Sequence, residues 1–320
     1  MSQIKTEIVD DIGIIRFFNP PYNFMTSEMV REFDQLTRAW EKDPHIRVII
    51  ITGGLDDVFI THYDVADIQK MFRPLQRIPS FLQPVSNFSS RLLGMLIRLL
   101  DSIQPLGRIF ESLLLKTPFF GVVELECIHR TFNRLQCMGK VVIAAINGEA
   151  VGGATELALS CDFRIIAAGD RRMGLPEITA AIIPGAGGSQ RLTRLLGFGK
   201  ALELMLEGRQ LTPGEALDIG LVSRVVNEED LMDVAMELAS KMATRPPISI
   251  RAIKTAARLG ASSSFKRGLE IEKKGFYATG SSRDADRALG FMLEEFRNGK
   301  SDREILEQLN TGDAVRFDGR

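Results

Sequence analysis

Two periods of apolar residues alternate along the chain, and the switches between them predict its elements. Glu7-Ile8-Val9 and residues 12–18, split by Asp10-Asp11, predict a β-hairpin. Asn19-Pro20-Pro21 then breaks the strand. From Ser27, a suitable N-cap, Met29, Val30, Phe33, Leu36, Thr37 and Trp40 recur at helical spacing until Asp43-Pro44. Residues 47–52, closed by Gly53-Gly54, form an apolar run suited to a buried strand. A strand at 140–147 followed by a helix at 155–160 repeats the theme, and 163–167 adds another strand. These units predict an α/β fold, although they are too irregular to be sequence repeats. Beyond Pro213, helices are expected at 214–221, 228–244, 249–259 and about 265–278, and the polar last twenty residues are expected to fray.

One stretch departs from this rhythm. Within residues 69–139, Phe88, Leu92, Leu96, Leu99, Ile103, Leu106, Phe110 and Leu113 make one apolar helical stripe, widened by Leu93, Leu100 and Leu114. Pro105 should kink or split that helix. The stretch holds nine basic and four acidic residues, a net +5. Such a segment wants burial on more than one side. It suits an insert packed on its own subunit or a neighbour, a lid over an acyl-chain pocket, or a membrane-surface contact.

Composition narrows the function classes. The 320 residues carry a formal charge of −1, which gives no electrostatic footprint for nucleic acid. No apolar run approaches the roughly 18 residues of a membrane span, and Lys5, Glu7 and Asp10 interrupt any signal-peptide core at the start. Cys127, Cys137 and Cys161 lack metal-ligand spacing, and only His45, His62 and His129 are present. Reduced thiols, no resident metal and a cytoplasmic location are expected.

Several signatures are rejected. Gly185-Ala186-Gly187-Gly188-Ser189-Gln190 lacks the last glycine of a dinucleotide fingerprint and follows Pro184. Gly199-Lys200 lacks a P-loop context, and Ser189 lies outside a nucleophile elbow. The informative block is 140–191, where a strand runs into Gly152-Gly153 and a helix bearing Glu156. Free N–H groups at that helix start suit an oxyanion, and Gly153 is the candidate donor. A carboxylate among Ala154, Leu157, Ala158 and Leu159 is costly to bury without a partner. The blander account is a helix N-terminal glutamate held by the dipole. Glu177, in Leu175-Pro176-Glu177, is a second carboxylate or simply a solvated loop acid. Two carboxylates beside an anion-stabilising turn suggest acid–base work on a carbonyl compound.

The run from Val141 through Asn147-Gly148, Glu156-Leu157-Ala158 and Cys161-Asp162 resembles the enoyl-CoA hydratase/isomerase (crotonase) superfamily. So do Gly174-Leu175-Pro176-Glu177, Ile183-Pro184-Gly185-Ala186-Gly187-Gly188-Ser189-Gln190-Arg191, Leu211-Thr212-Pro213-Gly214-Glu215-Ala216-Leu217, Gly220-Leu221-Val222 and Asn19-Pro20-Pro21-Tyr22-Asn23. The resemblance covers nearly all of the chain outside 69–139 and the tail. It implies an α/β spiral of ββα units over 1–210, carrying the insertion, and a helical oligomerisation region over 211–320. It also implies homotrimers or dimers of trimers, and an acyl-CoA thioester substrate whose coenzyme A is its own, with no further cofactor.

The resemblance assigns Glu156 and Glu177 as the catalytic pair and the N–H groups of Thr61 and Gly153 as the oxyanion hole. Asn23, Phe24, Ile60, His62, Tyr63, Asp64, Gly152, Ala181 and Phe276 are the implied substrate or CoA contacts. Ala181 stands where a glycine N–H often meets the catalytic water. His62-Tyr63 replaces small residues, so these side chains either enter the pocket, misaim the Thr61 donor, or do nothing chemical. The usual C-terminal lysine is unmatched, with Arg297 or Lys300 as substitutes. Hydration of a 2-enoyl-CoA is the leading expectation. Isomerisation, thioester or C–C hydrolysis, and a non-catalytic acyl-CoA-binding protein are the alternatives.

Overall fold

The computed structural model describes residues 2–101, 103, 106–312 and 314–319. β1 (Ile4–Val9) and β2 (Ile12–Phe17) form the expected antiparallel hairpin, and α1 (Ser27–Lys42) follows. Thr26 rather than Ser27 caps α1, its Oγ1 accepting the Met29 N–H at 3.1 Å. Ser27 lies one residue too late for that geometry, and its Oγ meets the Tyr63 hydroxyl at 2.9 Å. β3 (Val48–Gly53), β4 (Val58–Ile60) and α2 (Val65–Gln76) complete a ββα unit. The insertion then supplies α3 (Gln83–Asp101), α4 (Leu106–Leu114) and α5 (Phe120–Cys137). The predicted stripe is thus two helices; Pro105 itself lies outside the described residues.

The spiral resumes with β5 (Val141–Ile146), β6 (Glu149–Val151) and α6 (Gly153–Ser160). A third turn holds β7 (Phe163–Ala167), β8 (Met173–Gly174), α7 (Gly188–Leu196) and α8 (Phe198–Glu207). β9 (Gln210–Leu211), α9 (Pro213–Asp218), β10 (Arg224–Val226) and α10 (Leu231–Ala243) follow. Each full turn gives one strand to each of two sheets, ordered β1-β2-β3-β5-β7-β10 and β4-β6-β8-β9. All pairings in the large sheet beyond the β1–β2 hairpin are parallel. The expected division at 210 falls inside β9, and β10 beyond it pairs with β7.

Alternation along β3 explains its unbroken apolar run. Ile49 and Ile51 join one core with Phe17, Phe33, Phe59 and Val142, whereas Val48 and Ile50 join another with Ile143, Ile165 and α10. Both faces of the strand are covered, so Val48, Ile49, Ile50 and Ile51 are all apolar. Each fully buried isoleucine here stabilises the fold by about 1.5–3 kcal/mol.

The C-terminal helices are α11 (Pro247–Thr255), α12 (Phe265–Gly280), α13 (Arg283–Arg297) and α14 (Asp302–Thr311). Lys254 on α11 and Arg258 just beyond it grip Asp162 at 2.7 and 2.9 Å, fastening this region behind β5 and β7. The expected fraying of the tail is corrected. Ser301 and Glu304 form a capping box on α14, Ile305 is buried, and buried Asp284 accepts the Asp318 and Gly319 N–H groups at 3.0 and 2.9 Å. Polar residues there are spent on caps and carboxylate contacts rather than on water alone.

Burial within the insertion also reverses an expectation. Ile97, Leu114 and Val123, with Leu93 and Phe110 packed against them, form the inward cluster that seats α3 and α4 on α5. The longer stripe of Phe88, Leu92, Leu96, Leu99, Ile103, Leu106 and Leu113 is solvent-exposed. A charged cluster fastens the same helices to α1. Buried Asp34 meets Arg134 at 2.8 Å and Arg130 at 3.3 Å. Arg130 continues to Glu111 on α4, and Arg38 reaches both Asp34 and Asp101. Burial would raise the Asp34 carboxyl, but Arg130 and Arg134 outweigh it and hold the group below its ordinary value.

Candidate active site

Glu156 is placed by a turn that requires glycine. Gly152 adopts φ +59°, where a side chain would be strained, and donates its N–H to Gly174 O at 2.8 Å. That turn starts α6 and carries Glu156 into the interior, 3% exposed. Its Oε1 accepts two N–H bonds, from Ala186 and Gly188, both at 2.7 Å. Gly188 opens α7 after Gly187 at φ +98°, so the carboxylate faces a helix N-terminus where the dipole favours negative charge. The approach leaves no room at Gly188, where an added Cβ would lie 2.9 Å from Glu156 Cγ. Arg191 braces the turn by bonding Ala186 O and, at 2.9 Å, Asn133 Oδ1. Burial raises the Glu156 carboxyl above its ordinary value, while the Gly188 and Ala186 N–H groups and Arg191 pull the other way.

Glu177 sits differently. Pro176 leads it into a short 3-10 turn, Glu177–Ala180, and its Oε2 is buried with no hydrogen-bond partner among the described residues. Burial first, and the nearby charge of Glu156 second, push this carboxyl up to about 7. The two acids are therefore unlike: one is gripped by donors and the other is left bare. Environments that separate two carboxyls in this way suit a base and an acid working together.

Both glutamates line one cavity of about 1080 Å³, together with Gly152, Gly153, His62 and Tyr63. Ile68, Met71 and Phe72 of α2, Met95 of α3, and Val122 and Leu125 of α5 also line it. The insertion thus packs on its own subunit and walls the space over the carboxylates. His129 on α5 reaches the same cavity, its imidazole lowered by burial and by Arg191.

The remaining expected contacts divide. Thr61 lies beside the turn, its carbonyl accepting the Val151 N–H at 3.1 Å. Asn23 does not reach the cavity: fully buried, it bonds Phe17 O, Phe59 O and the Asn19 N–H, tying strand ends together. Phe24 stacks between Tyr22 and His62 outside the lining, and Ile60 is buried within β4. Asp64 caps α2 by accepting the Ala66 and Asp67 N–H groups. Ala181 is corrected too, because its N–H is taken by Ile178 O at 3.1 Å within its own turn. Phe276 is 74% exposed on α12 and does not line this chain's cavity. Lys300 is paired with Glu295, which removes it as a free cation.

Sequence reasoning missed the grip of Ala186 and Gly188 on Glu156. The paired glycines at 187–188 were the available signal, since close approach of backbone to a carboxylate excludes a Cβ. It also missed the insertion's wall residues, whose helical spacing alone cannot tell which face meets a cavity.

A family model for enoyl-CoA hydratase/isomerase matches residues 125–298, more than half of the chain. The chain is 30% identical over 283 residues to the crotonyl-CoA hydratase of Syntrophomonas wolfei, covering 88% of this chain and 91% of that protein. It is 29% identical over 296 residues to the short-chain-enoyl-CoA hydratase of Clostridium acetobutylicum, covering 92% and 96% respectively. Among solved structures, an enoyl-CoA hydratase from Bacillus anthracis superposes with a TM-score of 0.70 at 28% identity, covering 92% of this chain and 96% of that one.

Proposed function

The chain belongs to the enoyl-CoA hydratase/isomerase family, as an enzyme of the hydro-lyase type, and we propose that it adds water across the double bond of a 2-enoyl-CoA thioester. The observation that carries this reading is the pair of unlike carboxylates on one cavity, Glu156 buried and Glu177 half-buried. Glu156, its Oε1 occupied by two backbone donors, takes a proton from water as the water oxygen attacks Cβ. Electrons move into the thioester carbonyl, and the resulting enolate oxygen is held by the Gly153 and Thr61 N–H groups. Glu177, whose carboxyl is pushed up to about 7 so that a large share of it keeps its proton at neutral pH, delivers that proton to Cα. Water supplies both the hydroxyl and, through exchange between the two acids, the added hydrogen. No electrons are transferred, so the step calls for no redox group, and coenzyme A enters as part of the substrate.

The pH dependence follows from the two carboxyls. The acid must be protonated, so kcat/KM should fall as pH rises through about 7. The base must be ionised, so activity should also fall on the acid side, where Glu156 with its raised carboxyl takes up a proton. A bell-shaped profile is expected, its two limbs belonging to the pair. A profile flat from pH 6 to 9 would contradict the assignment.

The acyl group is read as apolar and larger than crotonyl, supported by the α2, α3 and α5 residues along the cavity. A panel of enoyl-CoA esters followed by mass spectrometry tests both points. The expected product gains one water, and turnover favours longer chains. Leu125→Trp, which narrows the cavity, should cost about tenfold or more in kcat/KM for long chains while sparing crotonyl-CoA. Isomerised enoyl-CoA or free coenzyme A as the main product would overturn hydration. Acyl-CoA binding without turnover at any chain length would point to a non-catalytic binder.

A further inference from the structure

We propose that the α3–α4 hairpin is a surface-lying membrane element that seats on anionic phospholipid headgroups. Its inward face is spent on Ile97 and Leu114 against Val123 of α5. Its other side presents Val85, Phe88, Leu92, Leu99, Ile109 and Leu113 to solvent, with Phe88 68% exposed. An exposed patch of large apolar side chains marks an interaction site rather than a resting surface.

Charge identifies the occupant. Every acidic residue between 69 and 139 is turned onto an arginine: Asp101 onto Arg38, Glu111 onto Arg130, Glu124 onto Arg31 and Glu126 onto Arg98. Arg91 on α3, Lys116 just past α4, and Arg73 and Arg77 at the end of the neighbouring α2 are exposed and make no ion pair among the described residues, and Arg91 also borders the cavity mouth. The hairpin and its flank consequently carry exposed apolar side chains and exposed cations, while their acids are turned onto arginines. An amphipathic element of this make-up buries its apolar side chains at the acyl boundary while its cations meet lipid phosphates. No helix among the described residues is long and apolar enough to cross a membrane, so the element lies on the bilayer. A two-fold contact with a second copy fits less well, because it would set the same arginines and lysine against each other with no free acid to pair them.

Co-sedimentation of the full chain with vesicles tests the proposal. Phosphatidylcholine vesicles containing phosphatidylglycerol should carry the protein down at low salt, pure phosphatidylcholine much less, and added salt should release it. Phe88→Ser with Leu92→Ser, and separately Arg73→Glu with Arg77→Glu, should each lower the bound-to-free ratio at least about tenfold. Circular dichroism and melting temperature should match the parent, since all four side chains are solvent-exposed. Failure to sediment with anionic vesicles, or variants that sediment like the parent, would overturn the proposal. So would light scattering in which Phe88→Ser/Leu92→Ser breaks up a lipid-free assembly while vesicle binding is unchanged, which would assign the face to a second copy.

Discussion

Glu156→Gln and Glu177→Gln should each lower kcat by about 10²–10⁴-fold on a 2-enoyl-CoA substrate, the range general acid–base groups contribute. The two losses should not add, because each step uses both carboxyls; the double variant should fall only slightly below either single one. Glutamine keeps the oxygen that accepts from Ala186 and Gly188, so Glu156→Gln should retain the fold. Glu177→Gln should melt no lower than the parent at pH 8, since it removes a charge from a buried oxygen that has no partner. Steady-state kinetics with a melting curve for each variant provides the check. Either single variant within tenfold of the parent would remove that residue from the chemistry.

Replacing Asp34 with alanine should cost about 3–5 kcal/mol in urea denaturation. The aspartate accepts from Arg130, Arg134 and Thr131 inside the contact between α1 and α5, and removing it takes away the buried carboxylate the two arginines share, leaving only the outer partners Glu111 and Glu41. Arg130 also holds Glu111 on α4, and Arg38 holds Asp101 on α3, so the insertion should loosen with the cluster. Faster amide exchange in α3 and α4 than in the large sheet is the accompanying expectation. The carboxyl sits below its ordinary value, so its contribution is present above the unfolded-state range near 3.8 and fades as pH falls through the folded one. A loss under about 1 kcal/mol would mean that solvent screens the cluster.

Local signals read well wherever burial covered both sides or a backbone turn demanded a residue type. The apolar run of β3 was legible because both of its faces are covered, and the hairpin break at Asp10-Asp11 and the Gly152-Gly153 entry to α6 because their neighbours in sequence are also their neighbours in space. Ser27 was misread as a cap because two hydroxyl residues stood side by side, and only backbone angles choose between them. Asn23 and Ala181 carry no local sign that their polar groups are already used, by Phe59 O and Ile178 O respectively. The tail was misread because Asp284, which holds it, lies more than thirty residues away.

The sequence by itself determined the spiral of strand and helix, the glycine turns, the two glutamates and the family. The alternation of strand and helix and the glycine turns follow from short-range rules of steric freedom, periodicity and capping, whereas the spiral, the pairing of the glutamates and the family rest on the resemblance that the motifs carry. Only the tertiary structure decided that Glu156 is held by the N-terminus of α7 while Glu177 is left with a bare oxygen. It alone turned the insertion's longest apolar stripe outward and used its shorter face as the seat on α5. Helical spacing specifies that two faces exist. Which one is covered depends on what distant segments bring against it, and an isolated sequence does not carry that geometry.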